Sequence, residues 1–153
     1  MLYNAISITI MALTGLLVGW RIRDGALDAA TAFLLLLVFA YAVSWVMGFI
    51  GLLVPSPEVV NNASFIVIMP LTFVSNAFVP TESFDGPLRT FVEWNPVSTV
   101  TQACREAFGN NVVPAPDAWP MQNPVLYTLL WSAAIVAIFA PLSVRQYKRS
   151  ASR

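Results

Sequence analysis

Few residues in this chain could do chemistry, and their types exclude most of it. The 153 residues include no His, a single Cys, eight Asp or Glu and eight Lys or Arg. There are no paired carboxylates for acid–base work, no Cys/His cluster to hold a metal and no glycine-rich loop to cradle a phosphate. Cys104 has no partner for an internal disulfide; it reads as a small packing residue on a helix, a reactive thiol being the alternative. Such residues do not build an enzyme within this chain, and no cofactor is expected in it.

What remains are polar and helix-breaking residues at the edges of apolar runs. Ser56-Pro57-Glu58 stands between two such runs, Pro70 interrupts one, and Asn76 lies near its far end, where the amide could bond a neighbouring helix or face the water boundary. The stretch Ser75–Asn110 is broken at Gly86-Pro87 and again at Asn95-Pro96. Proline is well tolerated at a first helical position and Asn is a strong N-cap, so each break predicts the start of a short helix. Leu88, Phe91 and Val92 share one face of the first helix; Val97, Val100, Cys104 and Phe108 share one face of the second. Pro96 restricts Asn95 as well as itself, which makes Trp94-Asn95-Pro96 a candidate hinge, with Phe84 at the other end of the same segment.

The elements that position these residues are membrane spans. Hydrophobic residues make up 58% and charged residues 10% of the chain, against about a quarter charged in a soluble domain; mean hydropathy is +0.70. Net charge is zero and there is no basic stripe, so no nucleic-acid partner is expected. The fold class is all-α integral membrane: a single transmembrane domain over 1–153, with spans at about 1–20, 31–54, 63–80 and 124–144 and two short re-entrant or interfacial helices between the last two. Residues 1–20 lack the basic start and small-residue cleavage site of a secretory signal. Gly15 and Gly19 give a GxxxG spacing, either a close-packing face or ordinary membrane-helix glycine. Pro70 should kink the third span. Residues 111–123, with Pro114, Pro116, Trp119 and Pro120, read as a loop.

Charge sets an expected orientation. The last nine residues carry four of the eight basic charges, which places the C-terminus in the cytoplasm of a plasma membrane. The Pro55–Asn62 loop is then cytoplasmic and the Glu82–Asn123 region external, forming an outer lid. Arg21 and Arg23 run against this assignment, with Asp24 and Asp28 beside them.

Phe78-Val79-Pro80, Trp94-Asn95-Pro96-Val97-Ser98, the segment Ala103 to Phe108, and Ser56-Pro57-Glu58 together resemble the C-terminal signature of bacterial type-2 ABC exporter permeases, most closely the daunorubicin-resistance subgroup. The resemblance runs from about Met11 to Tyr147. It implies a permease that exports hydrophobic compounds (drug, antibiotic or lipid) and works beside a second permease copy or homologue in membrane lipid. ATP would bind a separate ABC subunit on the cytoplasmic face. Ser56, Pro57 and Glu58 would form the loop touching that subunit, with a helix-capping role for Glu58 as the alternative. Such permeases have about six spans, so the resemblance also implies that the N-terminal third, with the main ATPase-docking loop, is missing here. Two other readings stay open: a non-transporting scaffold or accessory protein, or an inactive truncated permease. A lipid-modifying membrane enzyme is disfavoured by the uncharged spans.

Overall fold

The computed structural model describes residues 2–54, 56–110 and 114–151. Every helix in it follows from a sequence break. Helix α1 (Leu2–Leu17) ends where Gly19 adopts φ +103°, with the Trp20 N–H reaching back to the Gly15 carbonyl and the Gly19 N–H to Leu16. That is a glycine-dependent C-terminal cap. It also decides the glycine pair: Gly19 lies beyond the helix, so Gly15 and Gly19 do not form one packing face. Helix α2 (Ala26–Leu53) starts with Asp28 in its first turn, where a negative charge suits the helix dipole.

Helix α3 (Pro57–Phe73) is capped by Ser56, whose hydroxyl accepts the Val59 N–H. It begins at Pro57 rather than Ala63 and stops at Phe73 rather than running to Pro80. Pro70, which has no N–H to give to the turn before it, weakens the final part of this helix. It lies in the last turn, where the helix ends instead of continuing kinked. A 3₁₀ turn (Thr81–Ser83) leads into α4 (Gly86–Trp94) and α5 (Pro96–Ala107), with both breaks at the expected prolines. Within the expected loop 111–123, residues Trp119–Gln122 form a further turn of helix, α6, opened by Pro120; 111–113 lie outside the described residues. Helix α7 (Pro124–Ala151) runs on through the basic tail instead of ending near Val144.

Helices α2 and α7 each have 28 residues, about 42 Å, which exceeds a hydrocarbon core of about 30 Å. Among the described residues, these two are long and apolar enough to cross a membrane. Helices α1 and α3, of 16 and 17 residues, reach about 24 and 26 Å. The chain is all-helical among the described residues.

The core is a three-helix contact of α2, α5 and α7. Ala29, Ala32, Leu35 and Ala42 form the buried stripe of α2, mostly small, so neighbouring backbones approach closely. Leu35 packs with Val100 and Ala103 of α5, whose neighbour Thr99 meets Thr128 of α7; further along both long helices, Phe49 meets Phe139 at 5.8 Å. Helices α2 and α7 therefore run parallel. Ser64 of α3 bonds the Met47 sulfur of α2 at 3.1 Å, across the turn that joins them, so α3 runs antiparallel to both. The starts of α2 and α7, the end of α3 and all of α4–α6 consequently gather at one end of the bundle.

Candidate functional site

At that end the Asn95 side chain joins three segments. Its Oδ1 accepts the Val97 N–H at 2.9 Å, capping α5. Its Nδ2 donates to the carbonyls of Leu71 and Val74 at 2.7 and 2.6 Å. These two carbonyls end α3, where no further helical N–H is available to them. One amide thus caps the start of α5 and the end of α3 together, and it is only 3% exposed. The α5 cap is as the sequence predicts; the α3 clasp is not readable without the fold.

A polar seam continues from this corner. The Asn76 backbone N–H donates to Ser98 Oγ at 3.0 Å, Thr128 Oγ1 meets Thr99 Oγ1 at 3.3 Å, and Ser132 Oγ donates to the Thr128 carbonyl at 2.8 Å. Tyr127 sends its hydroxyl to the Trp94 carbonyl at 3.0 Å, while its ring meets Trp94, Trp119 and Trp131 edge-on at centroid distances of 6.0, 6.0 and 6.4 Å. Trp and Tyr are enriched at membrane–water boundaries, and this cluster gathers three Trp and one Tyr around the start of α7. Ser98, Thr99, Thr128 and Ser132 are all buried. The polar side of an amphipathic α5 resembles a solvent face in sequence. Flanked by α2 and α7, it must be satisfied by protein instead.

The remaining expected site residues spread over both ends. Asn76 is buried, which rules out the water-facing reading, and Pro70 is exposed on the outer side of α3. Trp94 and Pro96 flank Asn95 at the corner, whereas Phe84 is half-buried before α4, the length of that helix away. Val92 is the buried anchor of α4; Leu88 and Phe91 of its expected face are exposed. Ser56, Pro57 and Glu58 open α3 at the opposite end. A hydrogen bond from Ser56, then one from its own backbone N–H, holds the exposed Glu58 carboxyl below its ordinary range. Cys104 is packed with both apolar clusters of α5, and burial pushes its thiol up to about 11. Among the described residues no group of His, Cys, Asp or Glu could hold a metal.

A second junction ties α5 to α1. Gly109, at φ +66°, ends α5 with the Gly109 and Asn110 N–H groups returning to Glu106 and Arg105, the same cap that ends α1. The Arg23 N–H donates to the Phe108 carbonyl at 3.0 Å and Asn110 Nδ2 to that of Arg21 at 3.0 Å. Trp20 meets Phe108 edge-on at 4.9 Å.

Residues 1–108 match the family model described as ABC-2 type transporter. The chain belongs to the ABC-2 type transporter family. The match ends at Phe108, so it contains the Asn95 corner and the Arg23–Phe108 and Trp20–Phe108 contacts, but not Gly109, Asn110 or α7. The ABC-2 chain is 38% identical over 134 residues to a daunorubicin resistance ABC transporter permease protein of Streptomyces coeruleorubidus, covering 88% of this chain and 44% of the relative. It is 26% identical over 145 residues to a protein of Mycobacterium tuberculosis described as a probable doxorubicin resistance ABC transporter permease, covering 94% and 49%. It therefore spans somewhat under half the length of these relatives. No solved structure matches it.

Proposed function

We propose that this ABC-2 chain forms part of the membrane path of an ATP-driven exporter of hydrophobic compounds such as a drug, antibiotic or lipid. It would act beside a second permease and with ATP bound on a separate ABC subunit. The observation that carries the reading is the 38% identity to a daunorubicin resistance permease across 88% of this chain. In this reading the C-terminus and Glu58 face the cytoplasm of a bacterial plasma membrane, and Glu58 meets the ATP-binding subunit. The corner at Trp94-Asn95-Pro96 lies outside, as the hinge of a lid. Packing divides the labour there: α5 is held between α2 and α7, while α4 keeps Leu88 and Phe91 exposed, so α4 is the part free to swing.

The test substitutes this chain for its matching segment in the Streptomyces coeruleorubidus permease, paired with an ATP-binding subunit. Retained drug efflux above an ATPase-dead control supports the reading. Normal membrane insertion without efflux, alongside a working parental permease, removes it.

A further inference from the structure

The end of α3 carries a recess of about 250 Å³ whose wall includes Asn76, Glu82, Gln102 and Arg105. Asn76 is 4% exposed, and its Oδ1 meets no hydrogen-bond partner among the described residues. Arg105 gives one N–H to the Ala77 carbonyl at 3.5 Å, and a guanidinium has further donors to offer. Glu82, exposed on the 3₁₀ turn, adds a carboxylate to the same wall. The recess thus offers a cationic donor and an anionic acceptor.

The recess does not stand alone. Phe78 lines it and also lines a groove of about 300 Å³ that follows α3 from Ser64 through Phe65, Ile68 and Met69 to Phe73. Phe78 stacks on Phe73 at 5.4 Å, so one aromatic step joins the polar and apolar parts. The ten residues Ser64–Phe73 extend about 14 Å along the axis, close to one leaflet of a hydrocarbon core of about 30 Å.

We infer that the recess and groove together bind one membrane phospholipid with a phosphoethanolamine head. The phosphate faces Arg105, the ammonium donates to the exposed Glu82 carboxylate, and an acyl chain lies along α3 beneath Phe78. The order of parts matches a lipid's own: charged head beyond the helix end, tail along the apolar helix. A choline head has no N–H and loses the donor half of the recognition. This site needs the membrane placement of the export reading but not transport itself.

The test is native mass spectrometry of the 153-residue chain in detergent, titrated with palmitoyl-oleoyl phosphatidylethanolamine and separately with the phosphatidylcholine of the same tails. One saturable phosphatidylethanolamine is expected, held about tenfold more tightly than phosphatidylcholine, the scale of one charge-assisted hydrogen bond. Glu82→Gln should abolish that preference, and Phe78→Ala should weaken both lipids alike; both positions are exposed, and circular dichroism checks the fold. Equal affinity for the two heads, an unchanged preference in Glu82→Gln, or a stable dimer that excludes lipid from α3 would overturn the site. No ATP or ATP-binding subunit enters the measurement, so its failure is separate from failure of the export reading.

Discussion

Asn95 donates its side-chain amide to the Val74 carbonyl at 2.6 Å while the same side chain caps α5 through Val97. Different substitutions separate these duties. Asn95→Ser keeps a capping oxygen and loses the donor to α3, while Asn95→Ala loses both. Asn95→Asp keeps the cap but points an acceptor at two carbonyls. The cap is worth about 1 kcal/mol, and each half-buried carbonyl left unpaired costs up to about 1 kcal/mol, the low end for a fully buried group. Thermal unfolding in detergent should rank wild type above Ser, Ser above Ala, and Asp lowest. An Asp variant as stable as wild type would mean that the α3 clasp contributes nothing.

Gly109 and Gly86 both have positive φ, +66° and +57°, but only one is crowded. A Cβ on Gly109 would lie 2.8 Å from Asp24 Cγ and 3.0 Å from Arg23 Cβ, whereas one on Gly86 meets open space. Gly86→Ala should cost only the left-handed backbone penalty, about 1–2 kcal/mol. Gly109→Ala should cost clearly more and loosen the α1–α5 junction. Asp24→Ala should recover part of that excess and leave the backbone part. Equal losses for the two alanine variants would count against a tight junction.

Cys104 gives a pH-dependent readout of α5, which is no spanning segment itself. Burial disfavours the thiolate and lifts the pKa to about 11. At pH 8 roughly one thiol in a thousand is then ionised, against roughly a quarter for an ordinary thiol near pKa 8.5. Maleimide labelling of the folded chain should be a few hundredfold slower than after denaturation, and it should speed up about tenfold per pH unit. The folded pKa is raised, so this contribution to stability is complete below about pH 8.5 and is lost as pH rises towards 11. Fast labelling at pH 7 would show that α5 leaves its place between α2 and α7.

The parallel course of α2 and α7 requires both to enter the membrane from the side that carries α4–α6. With single cysteines placed in a Cys104→Ser background, an impermeant thiol reagent outside intact cells should reach Thr90 and Asp117 but not Ser150; all three positions are exposed. Reaction at Ser150 alone would invert the orientation. Reaction at Ser150 together with Thr90 would break the parallel arrangement.

Proline and glycine placement made the corner legible: Pro87 and Pro96 open helices where expected, and Asn95 caps α5 as its type predicts. Less legible was anything that depends on which helix lies behind which. The period of α5 assigns its apolar face, but that period does not show that α7 covers Ser98 and Thr99 on another side. The Gly15–Gly19 spacing leaves a packing face and an ordinary membrane-helix glycine both open because spacing carries no dihedral angle; in the fold Gly19 is a cap. The end of α3 was misplaced because the apolar run continues past Phe73 while the helix does not. Pro70 weakens the final part of the helix, and Asn95 then collects the carbonyls left over.

The Tyr127 hydroxyl is the polar tie between α7 and the Trp94 carbonyl, at 3.0 Å. Trp94 ends α4 and is 49% exposed, and a swing of α4 about Asn95-Pro96 re-aims the carbonyl that accepts this bond. Tyr127→Phe removes the bond and keeps the ring that meets Trp94, Trp119 and Trp131. Its stability cost should be about 1 kcal/mol, too little to empty the membrane of protein. If α4 is a moving lid, that loss shifts the balance between closed and open by a factor of about five, since 1.4 kcal/mol corresponds to tenfold. Efflux in an ATPase-paired chimera should then change severalfold in Tyr127→Phe at unchanged abundance. Pro96→Ala, which frees the backbone angle at the hinge, should change it in the same assay. Normal efflux at normal abundance in both variants would make α4 a fixed plug and take the corner out of the transport cycle.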